Sequence, residues 1–214
     1  MGSPPGRAGQ CGYLRLRMAQ VDPGATVEDG VTVGEGCAIW GGAVLRAGAV
    51  LGPRCTIGRG AYIDAGVQIG PDGKVQDRAL IYAPARLGAG VFVGPGAILT
   101  NDRRPRAVNP DLSKKDAAGW VADGVIVGDG ASIGAGAVIV AGTNVGAWAM
   151  VGAGAVVTGD VAAFALVVGC PARRVGWVGR AGARLEADGP DRLRCPTTGQ
   201  GFRVVGELVE EDDG

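Results

Sequence analysis

From Val21 to Leu99 every sixth residue is a branched aliphatic: Val21, Val27, Val33, Ile39, Leu45, Leu51, Ile57, Ile63, Ile69, Val75, Ile81, Leu87, Val93 and Leu99. No polar residue interrupts the series. A period of six excludes an amphipathic helix, whose apolar stripe recurs about every 3.6 residues. Four places after each aliphatic comes a small or β-branched residue, as at Ala25, Val31, Cys37, Ala43, Ala49 and Cys55. Glycine is frequent at the third place, as at Gly30, Gly36 and Gly42, where a tight corner needs positive φ. Three short strands joined by such corners make a triangular coil of eighteen residues with the large aliphatic side chain pointing inward. Residues eighteen apart then stack at the strand spacing of about 4.8 Å, in ladders such as Val27-Leu45-Ile63-Ile81-Leu99. Each coil buries its inner surface only against its neighbours, so the predicted fold is all-β, a parallel β-helix.

The frame breaks after Leu99. Residues 101–122 form a polar, Pro-containing excursion, and the period resumes at Val127, Ile133, Ile139, Val145, Val151 and Val157. Twenty hexads predict roughly seven coils, about 30 Å tall at one strand spacing per coil. Pro171 and the loss of period mark the end of the solenoid. The expected organisation is a disordered extension at 1–20, a β-helix domain at 21–178 with the loop 101–122 inserted, and a small strand-containing cap at 179–214. The Glu210-Glu211-Asp212-Asp213 end reads as frayed. An extruded loop on a repeat scaffold is where function is expected to concentrate.

Composition narrows the chemistry. Lys plus Arg and Asp plus Glu are equal at 21 each, so the footprint of a nucleic-acid binder is missing. No apolar run approaches the roughly 20 residues of a membrane span, and the start lacks the apolar core of a signal peptide; a cytoplasmic protein is expected. The five cysteines are scattered without a CxxC, which implies neither a disulfide framework nor a zinc site. Cys37 and Cys55 fall one coil apart and are expected to be buried thiols. There is no histidine.

The repeat, [LIV]-G-x-x-[small]-x, resembles the hexapeptide-repeat acyltransferase superfamily, which implies a left-handed β-helix. Three further stretches narrow the likeness. Leu99-Thr100-Asn101-Asp102 with Pro105-Arg106 resembles the F-T-N-D-x-x-P-R loop of acyltransferases that acetylate the 3-amino group of nucleotide-linked sugars. Ile69-Gly70, Lys74-Val75-Gln76 and Ile81-Tyr82 are similar to that family's Gln-containing coil. Val168-Gly169-Cys170-Pro171-Ala172-Arg173 with Gly176-Trp177, and Cys195-Pro196-Thr197-Thr198-Gly199, resemble its closing signature and tail. Departures fall at Asp77-Arg78, where the family has an Asn pair, at Ile39-Trp40-Gly41-Gly42, where it has W-H-F, and at Cys170, where it has Asn.

The resemblance implies an acetyl-coenzyme A-dependent N-acetyltransferase acting on a dTDP- or UDP-linked amino sugar, without metal, as a homotrimer whose loop reaches a neighbour's groove. Asn101 would hold the amine or the thioester carbonyl; otherwise it is a turn residue capping the loop. Asp102 is a general base or a residue that solvates the loop. Arg103, Arg104 and Arg106 are candidates for a diphosphate, Arg106 foremost because it matches the motif. Gln76 and Tyr82 are candidates for sugar or base contact. Coenzyme A is expected beside Ala135, Ala141 and Ala153, with Arg173 and Arg174 on its 3′-phosphate. Trp40, Trp120 and Trp148 read as packing or subunit-contact residues. Two other functions fit the same chain: a non-catalytic β-helix scaffold that lost its base with every histidine, and O-acetylation of a sugar or antibiotic, which needs a base more than an amine does.

Overall fold

The computed structural model describes residues 18–116 and 121–212. Of the disordered extension expected at 1–20, residues 1–17, Cys11 among them, lie outside the described residues, as do Trp120 and Asp213, while Gln20 already pairs with Ala38 in the first strand. Strands of two residues follow one another at the predicted period, from β1 (Gln20–Val21) to β14 (Ile98–Leu99) and from β15 (Ile126–Val127) to β20 (Val156–Val157). Every third strand pairs in parallel, which builds three flat faces. The predicted ladder is the observed register: Val27 on Leu45, Leu45 on Ile63, Ile63 on Ile81 and Ile81 on Leu99. Leu99 then stacks on Ile139, so the whole excursion is extruded between two consecutive coils without disturbing the stack.

The inward aliphatics form one continuous core, with Leu45, Ile57, Ile63, Ile81, Leu99, Ile133 and Ile139 fully buried. The small column fits beneath them. Gly73 stands under Cys55, and a Cβ there would lie 2.6 Å from Ile69 Cγ2. Cys37 and Cys55 are buried free thiols, each donating to a backbone carbonyl (Gly52 and Gly70) at 3.2 Å. Burial pushes the Cys55 thiol up to about 11. The corners turn through a left-handed residue, mostly glycine, but Arg54 (φ 61°) and Asp72 (φ 60°) adopt it one coil apart and pair with each other at 2.6 and 2.7 Å.

After β20 the chain completes one more turn. Val161 bridges to Val145, and β21 (Ala165–Val168) adds an eighth parallel strand to the first face. β22 (Arg173–Trp177) then runs back antiparallel on β21, which ends the coil. The cap is a four-stranded antiparallel sheet of β23 (Glu186–Ala187), β24 (Arg192–Arg194), β25 (Gly201–Val205) and β26 (Leu208–Glu211). It is held by Phe202, fully buried and edge-on to Phe164 at 5.4 Å, and by Arg180, which pairs with Glu211 and lies 5.2 Å over the Trp148 ring. That seating gives Trp148 the packing role expected of it.

One expectation is corrected. Glu210 and Glu211 belong to β26, and Asp212 is ion-paired to Arg192 at 2.6 Å and Arg203 at 3.1 Å, so the acidic end up to Asp212 is ordered. Its cationic partners sit on other strands of the cap. A run of acids looks solvated only when those partners are out of sight.

Candidate active site

The three corners of the solenoid differ in chemistry. The first, between the first and second faces, carries Trp40, Gln76, Ala135 and Ala153. The second, between the second and third faces, carries Glu28, Arg46, Asp64, Tyr82, Thr100 and the loop. The third carries Arg54, Asp72 and Trp148.

Polar side chains concentrate at the second corner and connect from coil to coil. Glu28 Oε1 lies 2.5 Å from Arg46 Nε as an ion pair, though not an aligned hydrogen bond, and Glu28 Oε2 accepts the Ala47 N–H at 2.8 Å. Arg46 Nη1 donates to the Tyr62 hydroxyl at 3.1 Å. That hydroxyl donates to Asp64 Oδ1 at 3.0 Å. Asp64 also accepts the N–H of Ala65 at 2.8 Å and that of Ala83 at 3.1 Å. Tyr62 and Tyr82 rings approach to 5.6 Å. Burial raises the Tyr62 phenol above its ordinary value, with the Arg46 hydrogen bond opposing.

The loop leaves and returns at this corner. Thr100 Oγ1 donates to Ile139 O at 3.2 Å and accepts the Ala141 N–H at 2.9 Å, which fixes the exit to the next coil. Asn101 Nδ2 donates to Ala83 O at 2.7 Å, which fixes it to the previous one. Asp123 N–H donates to Asn101 O at 3.0 Å and closes the loop's base. The returning chain passes so close to Pro84 that a Cβ on Gly124 would stand 2.9 Å from its carbonyl carbon. Asn101 is therefore half-buried and clamped over Ala83, which follows Tyr82 in the preceding coil. Asp102 Oδ1 accepts the Arg104 N–H at 2.8 Å within the loop. Asp102, Arg103, Arg104 and Lys115 line an open cavity of about 500 Å³ together with Val121 and Asp123. Arg106 is exposed and bonds to Pro105 O at 3.0 Å.

The structure brings Tyr82, Asn101, Asp102 and Arg103 to one corner. It places Gln76 on another, across the second face. Ala135 and Ala153 stack one coil apart at the first corner, both exposed, and Gly136 and Gly154 beside them have open space where a Cβ would stand. That exposed small-residue edge fits a slender ligand arm. Ala141 departs from the expectation: it is fully buried, on the second corner, under Thr100. The physical reason is the phase of the repeat, which sends hexads six apart to different corners. Arg173 and Arg174 lie on β22 and line a cavity of about 350 Å³ at the end of the solenoid with Thr158, Asp160 and Glu207. Arg174 stacks on Trp177 at 4.3 Å.

Sequence reasoning missed Glu28, Arg46, Tyr62, Asp64 and Lys115. A signal for three of them was present. Glu28, Arg46 and Asp64 each follow an inward aliphatic, eighteen apart, in line with Tyr82 and Thr100. At the third corner the equivalent place is glycine in every coil: Gly34, Gly52, Gly70, Gly88, Gly128 and Gly146.

The hexapeptide repeat of succinyl-transferase matches residues 124–159. No curated protein sequence matches the chain. Among solved structures, a hexapeptide-repeat-containing acetyltransferase from Vibrio cholerae, complexed with acetyl coenzyme A, is 22% identical over 61% of this chain and 70% of its own, with a TM-score of 0.50. A mutant of perosamine N-acetyltransferase from Caulobacter crescentus, in complex with CoA and GDP-perosamine, is 26% identical over 75% of this chain, with a TM-score of 0.47. The chain spans 58% of the length of that protein. A mutant of AntD, an N-acyltransferase from Bacillus cereus in complex with dTDP and coenzyme A, is 20% identical over 76% of this chain and 82% of its own, with a TM-score of 0.48. The solenoid is thus a left-handed β-helix of the hexapeptide-repeat kind.

Proposed function

We propose that this hexapeptide-repeat β-helix is an acetyl-coenzyme A-dependent N-acetyltransferase that acts on the 3-amino group of a nucleotide-linked sugar without a histidine base. The observation that carries the proposal is the seating of Asn101. Its amide is locked to the coil below at the place where the solenoid extrudes its long loop, over Ala83 and next to a cleft lined by Arg103, Arg104 and Lys115. Two guanidinium groups and an ammonium suit a diphosphate. Acetyl-coenzyme A supplies the acyl thioester, with Ala135 and Ala153 offering an exposed edge for its arm and Arg173 and Arg174 cationic ends.

The chemistry needs little from the protein beyond placement. A sugar amine of ordinary pKa, about 8, has an appreciable neutral fraction near neutrality. Because Asn101 Nδ2 is committed to Ala83 O, its Oδ1 is the end that accepts an amine N–H. As the nitrogen–carbon bond forms and the carbon–sulfur bond breaks, the surplus proton leaves with the thiolate. Orientation alone supplies several kcal/mol of such a barrier.

The second face supports a homotrimer with sites at its subunit borders. Its outward residues in register are Val44, Tyr62, Leu80, Ile98, Val138 and Val156, an apolar strip bounded by the first and second corners. A second copy on that strip would bring the coenzyme A edge of one subunit toward the loop of another. Exposed Leu112 and Val121 on the loop suit the same contact. Light scattering is expected to give three times the 21.4 kDa chain mass; a 21.4 kDa species would count against the trimer.

The proposal is tested with purified protein, acetyl-coenzyme A and a panel of dTDP-, UDP- and GDP-linked 3-amino sugars, reading thiol release. Turnover with a 3-amino sugar and none with the 3-hydroxy counterpart is the expected result. No thiol release across the panel from an intact trimer overturns it. A protein that also fails to bind coenzyme A by calorimetry is then the scaffold.

A further inference from the structure

We infer that Asp64 is a positioning residue for Asn101, acting through the backbone of Ala83, and that Glu28, Arg46 and Tyr62 hold Asp64 in place; this rests on the N-acetyl transfer proposed above. The Ala83 residue is held from both ends. Its N–H donates to Asp64 Oδ2 at 3.1 Å, and its carbonyl accepts from Asn101 Nδ2 at 2.7 Å. Backbone groups so paired leave Asn101 one seat, and that seat decides which end of its amide faces outward.

Asp64 is suited to the task as a carboxylate and not as an amide. It receives three hydrogens, from the Ala65 N–H, the Tyr62 hydroxyl and the Ala83 N–H, and offers none. An amide in its place would set N–H against N–H at one of those contacts. Tyr62 is in turn fixed by Arg46 at 3.1 Å and by its ring against Tyr82, and Arg46 by Glu28. The column runs over five coils, from Glu28 through Arg46, Asp64 and Ala83 to Asn101, where the loop begins. Outer residues that orient an inner one in this way change rate more than they change binding.

The third corner provides a built-in control. Arg54 and Asp72 also pair across one coil, at 2.6 and 2.7 Å, but their pair leads to no loop. Asp64→Asn and Asp72→Asn are therefore compared. Asp64→Asn is expected to lower kcat about 10- to 100-fold through misplacement, with KM for acetyl-coenzyme A unchanged and the protein still folded at the assay temperature. Asp72→Asn keeps wild-type kcat. The double variant Asp64→Asn/Asn101→Ala is expected to be no slower than Asn101→Ala alone, because both changes remove one placement.

A crystal structure of Asp64→Asn gives a readout that does not depend on the reaction: the Asn101 amide is expected off the Ala83 carbonyl. Finding it still seated there overturns the inference whatever the rates, as does wild-type kcat in Asp64→Asn. If the wild type acetylates nothing, the proposed function fails, and the crystal structure still decides whether Asp64 seats Asn101. Should Asp64→Asn not fold, Tyr62→Phe removes one of the three donors at little cost in volume. Its kcat is expected to fall in the same direction, and an unchanged kcat with an unmoved Asn101 overturns the inference.

Discussion

Asn101→Ala is expected to lower kcat by about 10- to 100-fold, the loss that follows removal of one placed hydrogen-bonding group at a reacting centre. KM for acetyl-coenzyme A should stay near its wild-type value, because the proposed coenzyme edge at Ala135 and Ala153 is on a different corner. Asn101→Asp separates placement from simple polarity. The carboxylate keeps the shape and an acceptor but has no hydrogen to give, so it would face the Ala83 carbonyl, 2.7 Å away in the native contact, oxygen to oxygen. It should therefore be at least as slow as Asn101→Ala. Steady-state kinetics with both substrates varied would check this. An Asp variant with wild-type turnover would remove the orienting role given to the Ala83 contact, and an unchanged Ala variant would remove Asn101 from the site.

A large loss of stability is expected from Gly134→Ala, at about 3 kcal/mol or more, beyond the usual overpacking cost because the obstacle is backbone. A Cβ at Gly134 would stand 2.5 Å from Ala153 N, 2.6 Å from the Gly152 carbonyl carbon and 2.7 Å from Val151 O. None of these atoms can swing aside, since Gly134 N–H also bonds Val151 O at 2.8 Å in the ladder between the coils. Gly136, two residues on, provides the contrast. It is left-handed at φ +64° and a Cβ there would have nothing within 4 Å, so Gly136→Ala meets only the intrinsic strain of that conformation, roughly 1–2 kcal/mol. Urea denaturation of the two variants should rank Gly134→Ala well below Gly136→Ala. The reverse order would mean that coil spacing yields more readily than backbone torsion.

Much of the fold was legible because the hexad is a local rule. Each inward aliphatic, each small residue beneath it and each corner glycine could be read along the chain, and the stacking of Leu45 on Ile63 on Ile81 followed from counting eighteen. The loop was legible as the place where the count failed. The site was read less fully. Asn101 and Tyr82 were visible through local likeness, but Ala141 was grouped with Ala135 and Ala153 by composition alone. It lies buried on another corner because residue type carries no record of phase around the coil. The missed column of Glu28, Arg46 and Asp64 was written at the same period as the core. It required comparing outward residues eighteen apart, where no hydrophobic pattern draws attention.

By itself, then, the sequence determined what repeats: a three-sided parallel solenoid, its core and its extruded loop. Those are consequences of side-chain size and backbone permissiveness at fixed spacing. Only the tertiary structure decided which residues share a corner, that Arg180, Arg192 and Arg203 order the acidic end, and that Asn101 is seated on Ala83 with Asp64 beneath it. Such contacts depend on the phase of each residue around the coil and on the reach of individual side chains between coils, which become definite only when the chain is wound.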